Sequence, residues 1–315
     1  MPGTSATDPI EWLNTDCFCI TVDGAALQRE LDADAATRGL YESLRQTHAY
    51  LFSHAPIFVS RDNVAAMERL VAAVETVVAR PAYREAVLGW APAIARYEPG
   101  PVGALMGFDF HVTAQGPRLI EINTNAGGAF LNAALARAQS ACCAPVLSFL
   151  EEPAGVARPQ AALFEMFVAE WRRQRGAAPL QRIAIVDESP AQQYLYPEFL
   201  LASEMFRARG VEAVICDPRE LQPDPAGLRH GGQLVDLVYN RLTDFALEQP
   251  EHAALRDAYL SGRVVVTPNP RAHALYADKR NLALLSDADR LREWGVDAAT
   301  IDTLQRAVPR TEILD

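Results

Sequence analysis

Glu121 and Asn123 stand two residues apart in Leu119-Ile120-Glu121-Ile122-Asn123, a run in which apolar and polar residues alternate. Residues two apart on a strand share a face, so this carboxylate and amide oxygen lie side by side while Ile120 and Ile122 turn to the opposite, buried face. Such a pair is a hard-oxygen half-site for Mg²⁺, which takes one or two protein carboxylates and completes its shell with water and phosphate oxygens. Phe108-Asp109-Phe110 alternates in the same way, and the turn-like Ala114-Gln115-Gly116-Pro117 lies between the two runs. The pattern predicts an antiparallel hairpin whose first strand can add an oxygen from Asp109. Asn125-Ala126-Gly127-Gly128 follows as a loop whose backbone N–H groups can approach an anion closely.

A second set of polar residues sits at the ends of apolar runs: Asp187-Glu188-Ser189, Asn240-Arg241 and Pro268-Asn269-Pro270. Carboxylates, amides and one Arg converging on a sheet edge suit an amino-acid or peptide ligand. Lys279 is the only lysine against 28 arginines, so chemistry that needs an ammonium must draw on it.

These groups require particular elements. Val64, Met67, Leu70, Val71, Val74, Val77 and Val78 recur at helical spacing behind a cap at Ser60 or Asp62, and this helix should end near Pro81. A shorter helix is expected over 28–48, and another, rich in Ala and Leu, over 130–142. Two prolines and a glycine make 151–159 a connection between domains. Beyond it, strand 183–186, helix 196–209 closed by Gly210 and strand 213–216 form a βαβ unit. Further strands at 234–239 and 264–267, separated by a helix over 251–260, complete a small parallel sheet whose ligands belong beyond its carboxyl ends. The expected fold is α/β, with a helical region and hairpin over 1–150, the parallel-sheet domain over 151–275 and a return segment over 276–315.

Composition narrows the function classes. A net charge of −11 without a basic cluster argues against nucleic acid as a partner. No run of about 18 apolar residues is present, and the first twenty residues carry acids but no Lys or Arg, which predicts neither a membrane span nor a secretory signal. Five cysteines, an odd number, suit reduced thiols and a cytoplasmic location. Neither Cys17/Cys19 nor Cys142/Cys143 has the gap of a zinc knuckle. The dinucleotide fingerprint Gly-x-Gly-x-x-Gly is missing after Val186, where Asp187-Glu188-Ser189-Pro190 stands, and this argues against an oxidoreductase.

Phe108-Asp109-Phe110-His111 with Leu119 to Gly128 resembles the magnesium-binding hairpin of the ATP-grasp ligases. Its position before the βαβ domain is similar to the circularly permuted order of the eukaryotic-type glutathione synthetases. Val238-Tyr239-Asn240-Arg241 resembles their peptide-holding segment, and Asp278-Lys279-Arg280-Asn281 their segment with a nucleotide-contacting Lys. The resemblance covers about residues 55–315. It implies an ATP- and Mg²⁺-dependent carboxylate–amine ligase working through an acylphosphate. Asp109, Glu121 and Asn123 would hold Mg²⁺, and Lys279, Asn125, Gly127 and Gly128 would meet the nucleotide. Glu188, Asn240 and Arg241 would bind the acid and amine or peptide substrates, with Arg241 clamping a carboxylate during catalysis, and a homodimer is compatible with the family.

Two departures qualify the resemblance. Gly107 stands where the synthetases place a substrate-binding Arg, so an acid other than that of glutathione synthesis is expected. The run Val308 to Asp315 resembles the approach to the nucleotide-clamping subdomain, most of which has no counterpart here, so these 315 residues alone are expected to be inactive. The alternative reading is a non-catalytic small-molecule or peptide binding protein built on the same fold.

Overall fold

A computed structural model describes residues 9–17, 22–33, 37–53, 55–139 and 159–313. The first helices are α1 (Pro9–Thr15), α2 (Gly24–Leu31) and α3 (Leu40–Thr47). The single helix expected over 28–48 is therefore two. The first ends at Leu31, and Gly39, at φ +83°, stands in a left-handed conformation immediately before the second. The long helix α4 (Arg61–Val78) begins where expected, with Ser60 Oγ accepting from Asn63 N–H. Pro81 then opens α5 (Pro81–Trp90), its missing N–H costing nothing at a first helical turn.

The hairpin is β1 (Gly107–Thr113) and β2 (Gly116–Asn123), antiparallel, with Asp109 opposite Glu121. One expectation fails within it. Ile120 is 43% exposed, whereas Leu119 and Ile122 are buried. The register runs from Asp109↔Glu121 to Phe110↔Leu119, so Ile120 is the extra residue of a β-bulge and leaves the alternation. Helix α6 (Ala129–Arg137) follows the glycine loop, and α7 (Pro159–Arg175) occupies a stretch for which no helix was expected. The predicted connection over 151–159 lies, apart from Pro159, outside the described residues, as do Cys19, Cys142 and Cys143.

The second half contains β3 (Arg182–Val186), α8 (Tyr196–Arg207) and β4 (Glu212–Cys216). A three-stranded antiparallel sheet follows: β5 (Gln222–Asp224), β6 (Gly227–His230) and β7 (Gln233–Val235). Next come β8 (Leu237–Asn240), α9 (Ala253–Leu260) and β9 (Val265–Thr267). The strand expected over 234–239 is thus divided between two sheets. Asp236 separates the halves by turning its carboxylate onto the N–H groups of Gln181 and Arg182. The parallel sheet has the order β4-β3-β8-β9. Ile183, Ile185, Leu237, Tyr239 and Val265 fill the core on one face, and Ala184, Val186, Val238, Val264 and Val266 the other. Burial of both faces explains why its strands read as continuous apolar runs.

The chain ends with α10 (Pro270–Tyr276), α11 (Arg280–Ser286), α12 (Ala288–Glu293) and α13 (Ala298–Ala307). Leu284, Leu291, Ile301 and Leu304 of these helices share one core with Leu70, Val74 and Val77 of α4 and with Leu119 and Ile122 of β2. The hairpin is thereby fixed between an early helix and the last helices, which brings Lys279 to its open face. No described helix is long and apolar enough to cross a membrane.

Candidate functional site

The bulge leaves Glu121 and Asn123 on one face, and the register sets Asp109 across from Glu121. Asn123 Nδ2 lies 3.2 Å from Asp109 Oδ2 and 3.1 Å from Glu121 Oε1. Lys279 Nζ lies 3.2 Å from Glu121 Oε2. Four expected residues from three segments therefore meet in one cluster at the solvent. The hydrogen bond from Asn123, and after it those from Lys279, hold the Glu121 carboxyl below its ordinary range, so it is an anionic oxygen donor. Among the described residues no three His, Cys, Asp or Glu side chains form a metal-binding group; the oxygens here belong to two carboxylates, and Asn123, which turns its Nδ2 to both, would add its amide oxygen after a flip of the amide. That set suits Mg²⁺ and is too oxygen-rich and sparse for a zinc site.

The loop leaving β2 is held from the parallel sheet. Arg241, at the carboxyl end of β8 and almost wholly buried, donates through one terminal nitrogen to the carbonyls of Asn125 at 2.6 Å and Ala126 at 3.0 Å. The clamp expected on a substrate is, in this conformation, a clamp on the chain's own loop. Gly127 is required by this packing: a Cβ there would stand 2.3 Å from a Leu195 methyl carbon and 3.2 Å from the other terminal nitrogen of Arg241. Gly128, at φ +87°, turns the chain into α6.

The N–H groups at the start of α6 already hold a carboxyl group of the chain itself. Glu198, fully buried on α8, accepts from Phe130 and Leu131 N–H, each at 3.0 Å. Burial raises its pKa, against the pull of those backbone donors and of Arg241. Sequence reading missed Glu198 because it appears as one polar residue on an amphipathic helix; its position on the buried face of α8 was the only available signal.

Other edge residues divide into those that reach the cleft and those that build it. Asn240 is buried, its amide donating to Pro268 O at 3.4 Å and accepting from Leu242 N–H at 3.2 Å. Glu188 is half exposed and faces the buried imidazole of His252, whose other side meets Asp244. Asp187 is pushed up to about 6, chiefly by burial, with Glu188 and Asp217 adding repulsion and Arg241 opposing it. Since its folded pKa exceeds that of an unfolded Asp, ionising it costs stability as pH rises between about 4 and 6. Asp187→Asn is therefore expected to melt above wild type at pH 8 and level with it near pH 4, as read by thermal unfolding at both pH values.

Gly107 packs against Ala126, where an added Cβ would come within 3.0 Å of the alanine methyl. A longer side chain at this position would displace the loop, so the departure from the synthetase pattern is built into the packing.

No family model matches the chain, and no curated protein does. Among solved structures it is similar to a glutathione synthetase-like effector from Globodera pallida, determined in its apo form, with a TM-score of 0.51 and 14% identity. The chain has a glutathione-synthetase-like fold. The match covers 80% of this chain and 62% of the other, so the chain spans less than two thirds of that neighbour's length. At this identity the likeness is one of fold, and the functional argument rests on the site itself.

Proposed function

We propose that the protein is an ATP- and Mg²⁺-dependent carboxylate–amine ligase of the glutathione-synthetase-like type, using an ATP-grasp hairpin as its metal and nucleotide site. One observation carries the reading: Asp109 and Glu121 are placed directly opposite each other on paired strands, with Asn123 and Lys279 beside them. Like charges directly opposite destabilise a hairpin, and such a local conflict is tolerated where a ligand relieves it. A bound Mg²⁺ would supply neutralisation of phosphate charge at Asp109, Glu121 and Asn123. Lys279, 78% exposed at its side chain, would swing from Glu121 to a nucleotide phosphate. Arg241 would fix the Asn125–Gly127 loop at the wall where the acid and the amine meet, and the buried Glu198 would keep the start of α6 rigid.

The second reading, a binding protein without turnover, is favoured by the engagement of Arg241 with loop carbonyls. The two are separated by trapping with hydroxylamine, which converts an acylphosphate to a hydroxamate. With ATP, Mg²⁺ and a panel of amino acids and dipeptides, a ligase tested in a chain that includes the nucleotide-clamping subdomain is expected to give hydroxamate and ADP in equal amounts with at least one acid. ATP-independent binding of those acids, with neither product formed, would favour the second reading.

A further inference from the structure

A cleft of about 340 Å³ lies between the end of α4, helix α5, the loop 98–102 and α10. That volume is within the range of small-molecule sites. Its wall is apolar, formed by Val78, Pro99, Pro101, Val102 and Leu275, and none of its lining residues belongs to the hairpin, to the Asp187–Ser189 or Asn240–Arg241 segments, or to Lys279. Two guanidinium groups also line it, and main-chain carbonyls hold each in place. Arg271 donates through Nη1 to Ala95 O at 3.1 Å and Arg96 O at 3.4 Å, and Arg84 donates through Nε to Val78 O at 2.8 Å. These acceptors are neutral, so both positive charges remain for another partner. Glu98 meets them incompletely: its Oε1 lies 3.1 Å from Arg271 Nη2 but 3.9 Å from Arg84 Nη1. The longer distance is not a hydrogen bond, so the terminal nitrogens of Arg84 have no such bond among the described residues. Glu75, the other carboxylate nearby, accepts from the Tyr276 hydroxyl at 2.9 Å.

Glu98 is a weakly held plug over these donors. Its side chain is 68% exposed, and an exposed ion pair exchanges partners at little cost. Arg271, only 12% exposed at its side chain, stays fixed by its carbonyl bonds. Two guanidinium groups that converge on one oxygen position beside an apolar wall specify a ligand with an anionic head and an apolar body. We infer that this cleft binds a small monocarboxylic acid, whose carboxylate displaces Glu98 from Arg271, spans to Arg84 and lays its hydrocarbon chain against Pro99, Pro101 and Leu275. A free carboxylate can turn one oxygen to Arg271 Nη2 and the other to Arg84 Nη1, whereas the tethered Glu98 bonds only to the first. An amine would be repelled by both guanidinium groups, and an inorganic anion would leave the apolar wall in water. The cleft is separate from the hairpin site. Helix α10 turns Arg271 and Leu275 towards it, while His273, on another face of that helix, meets Thr124 beside Asn123. An acid bound here is therefore a ligand other than the substrates of the reaction above, and the inference does not depend on the ligase reading.

Calorimetric titration of the full chain at neutral pH tests the site, with hexanoate as the probe and hexanol, hexylamine and acetate as neutral, cationic and short-chain controls. Hexanoate is expected to bind saturably, and each control to bind about tenfold more weakly or worse. Glu98→Gln is the discriminating variant. Removing the competing carboxylate should tighten hexanoate about threefold and leave the melting temperature of the free protein unchanged. Arg84→Gln should weaken hexanoate about tenfold, through loss of one charge-assisted hydrogen bond. No saturation up to about 20 mM hexanoate, an equal affinity for hexanol, or an affinity that Glu98→Gln leaves unchanged or lowers would each overturn the assignment. The titration uses neither nucleotide nor Mg²⁺. A protein carrying Asp109→Asn and Glu121→Gln should therefore bind hexanoate as wild type does, which separates failure of this site from failure of the ligase reading.

Discussion

Replacing Asp109 by Asn and Glu121 by Gln together is expected to remove the Mg²⁺ dependence of nucleotide binding. Calorimetric titration with a non-hydrolysable ATP analogue should show at least a tenfold gain in affinity from Mg²⁺ in wild type, about 1.4 kcal/mol, and none in the double variant. The argument is one of opposed magnitudes. The Glu121–Lys279 pair is a surface ion pair with Lys279 largely in solvent, so breaking it costs little. Against this, removing the Asp109–Glu121 repulsion across the strands returns a comparably small amount. The fold should thus be indifferent to the change, with melting temperatures in metal-free buffer agreeing closely. Lys279→Ala should behave differently, weakening the analogue with and without Mg²⁺ because it removes a phosphate contact and leaves the oxygen donors in place. A double variant that keeps full Mg²⁺-dependent affinity would reject the hairpin as the metal site.

How far the sequence foreshadowed this arrangement depended on whether a feature was local. Glu121 and Asn123 were legible because strand alternation fixes which side chains share a face, whereas the face of Asp109 on the partner strand was left open and only the register sets it opposite Glu121. The same rule failed at Ile120, since a bulge leaves no mark in a run of alternating residues. The parallel sheet was legible from its continuous apolar strands, but the antiparallel β5–β7 sheet was not. Its strands of three or four residues are too short for a period to register, and Val235 to Leu237 reads as uninterrupted until Asp236 is seen capping Gln181 and Arg182. Arg241 was recognised by its place after a strand, yet its bonds to Asn125 and Ala126 join residues more than a hundred positions apart. His252 lay beyond reach for the same reason: its partners Asp244 and Glu188 come from two different loops. Chemistry held within one hairpin was visible in the sequence down to its neighbours, whereas at the sheet edge the convergence of polar residues was visible and the pairings among them were not.

The largest loss of stability is expected at Glu198. Its carboxylate satisfies the Phe130 and Leu131 N–H groups inside the protein, where no water can replace it. Glu198→Ala leaves both donors orphaned and deprives the buried Arg241 of a neighbouring negative charge, for an expected cost of about 2–4 kcal/mol in urea or thermal unfolding. The pH dependence carries a second, independent signature. Because burial raises the folded pKa of Glu198 above its unfolded value, wild type is most favoured where the group is protonated in both states. It loses part of that advantage as pH climbs through the raised folded value. The alanine variant lacks this titration, so the gap between the two proteins should be widest near pH 4 and narrower at pH 8. A gap that widens instead with rising pH would mean that the carboxylate is stabilised as an anion, with the backbone donors and Arg241 outweighing desolvation. The same substitution should loosen the Gly127–Gly128 turn, since Glu198 anchors the helix that begins immediately after it. Hydrogen exchange at the Phe130 and Leu131 amides should then rise ahead of exchange in the parallel sheet, whose strands β3 and β8 are buried on both faces.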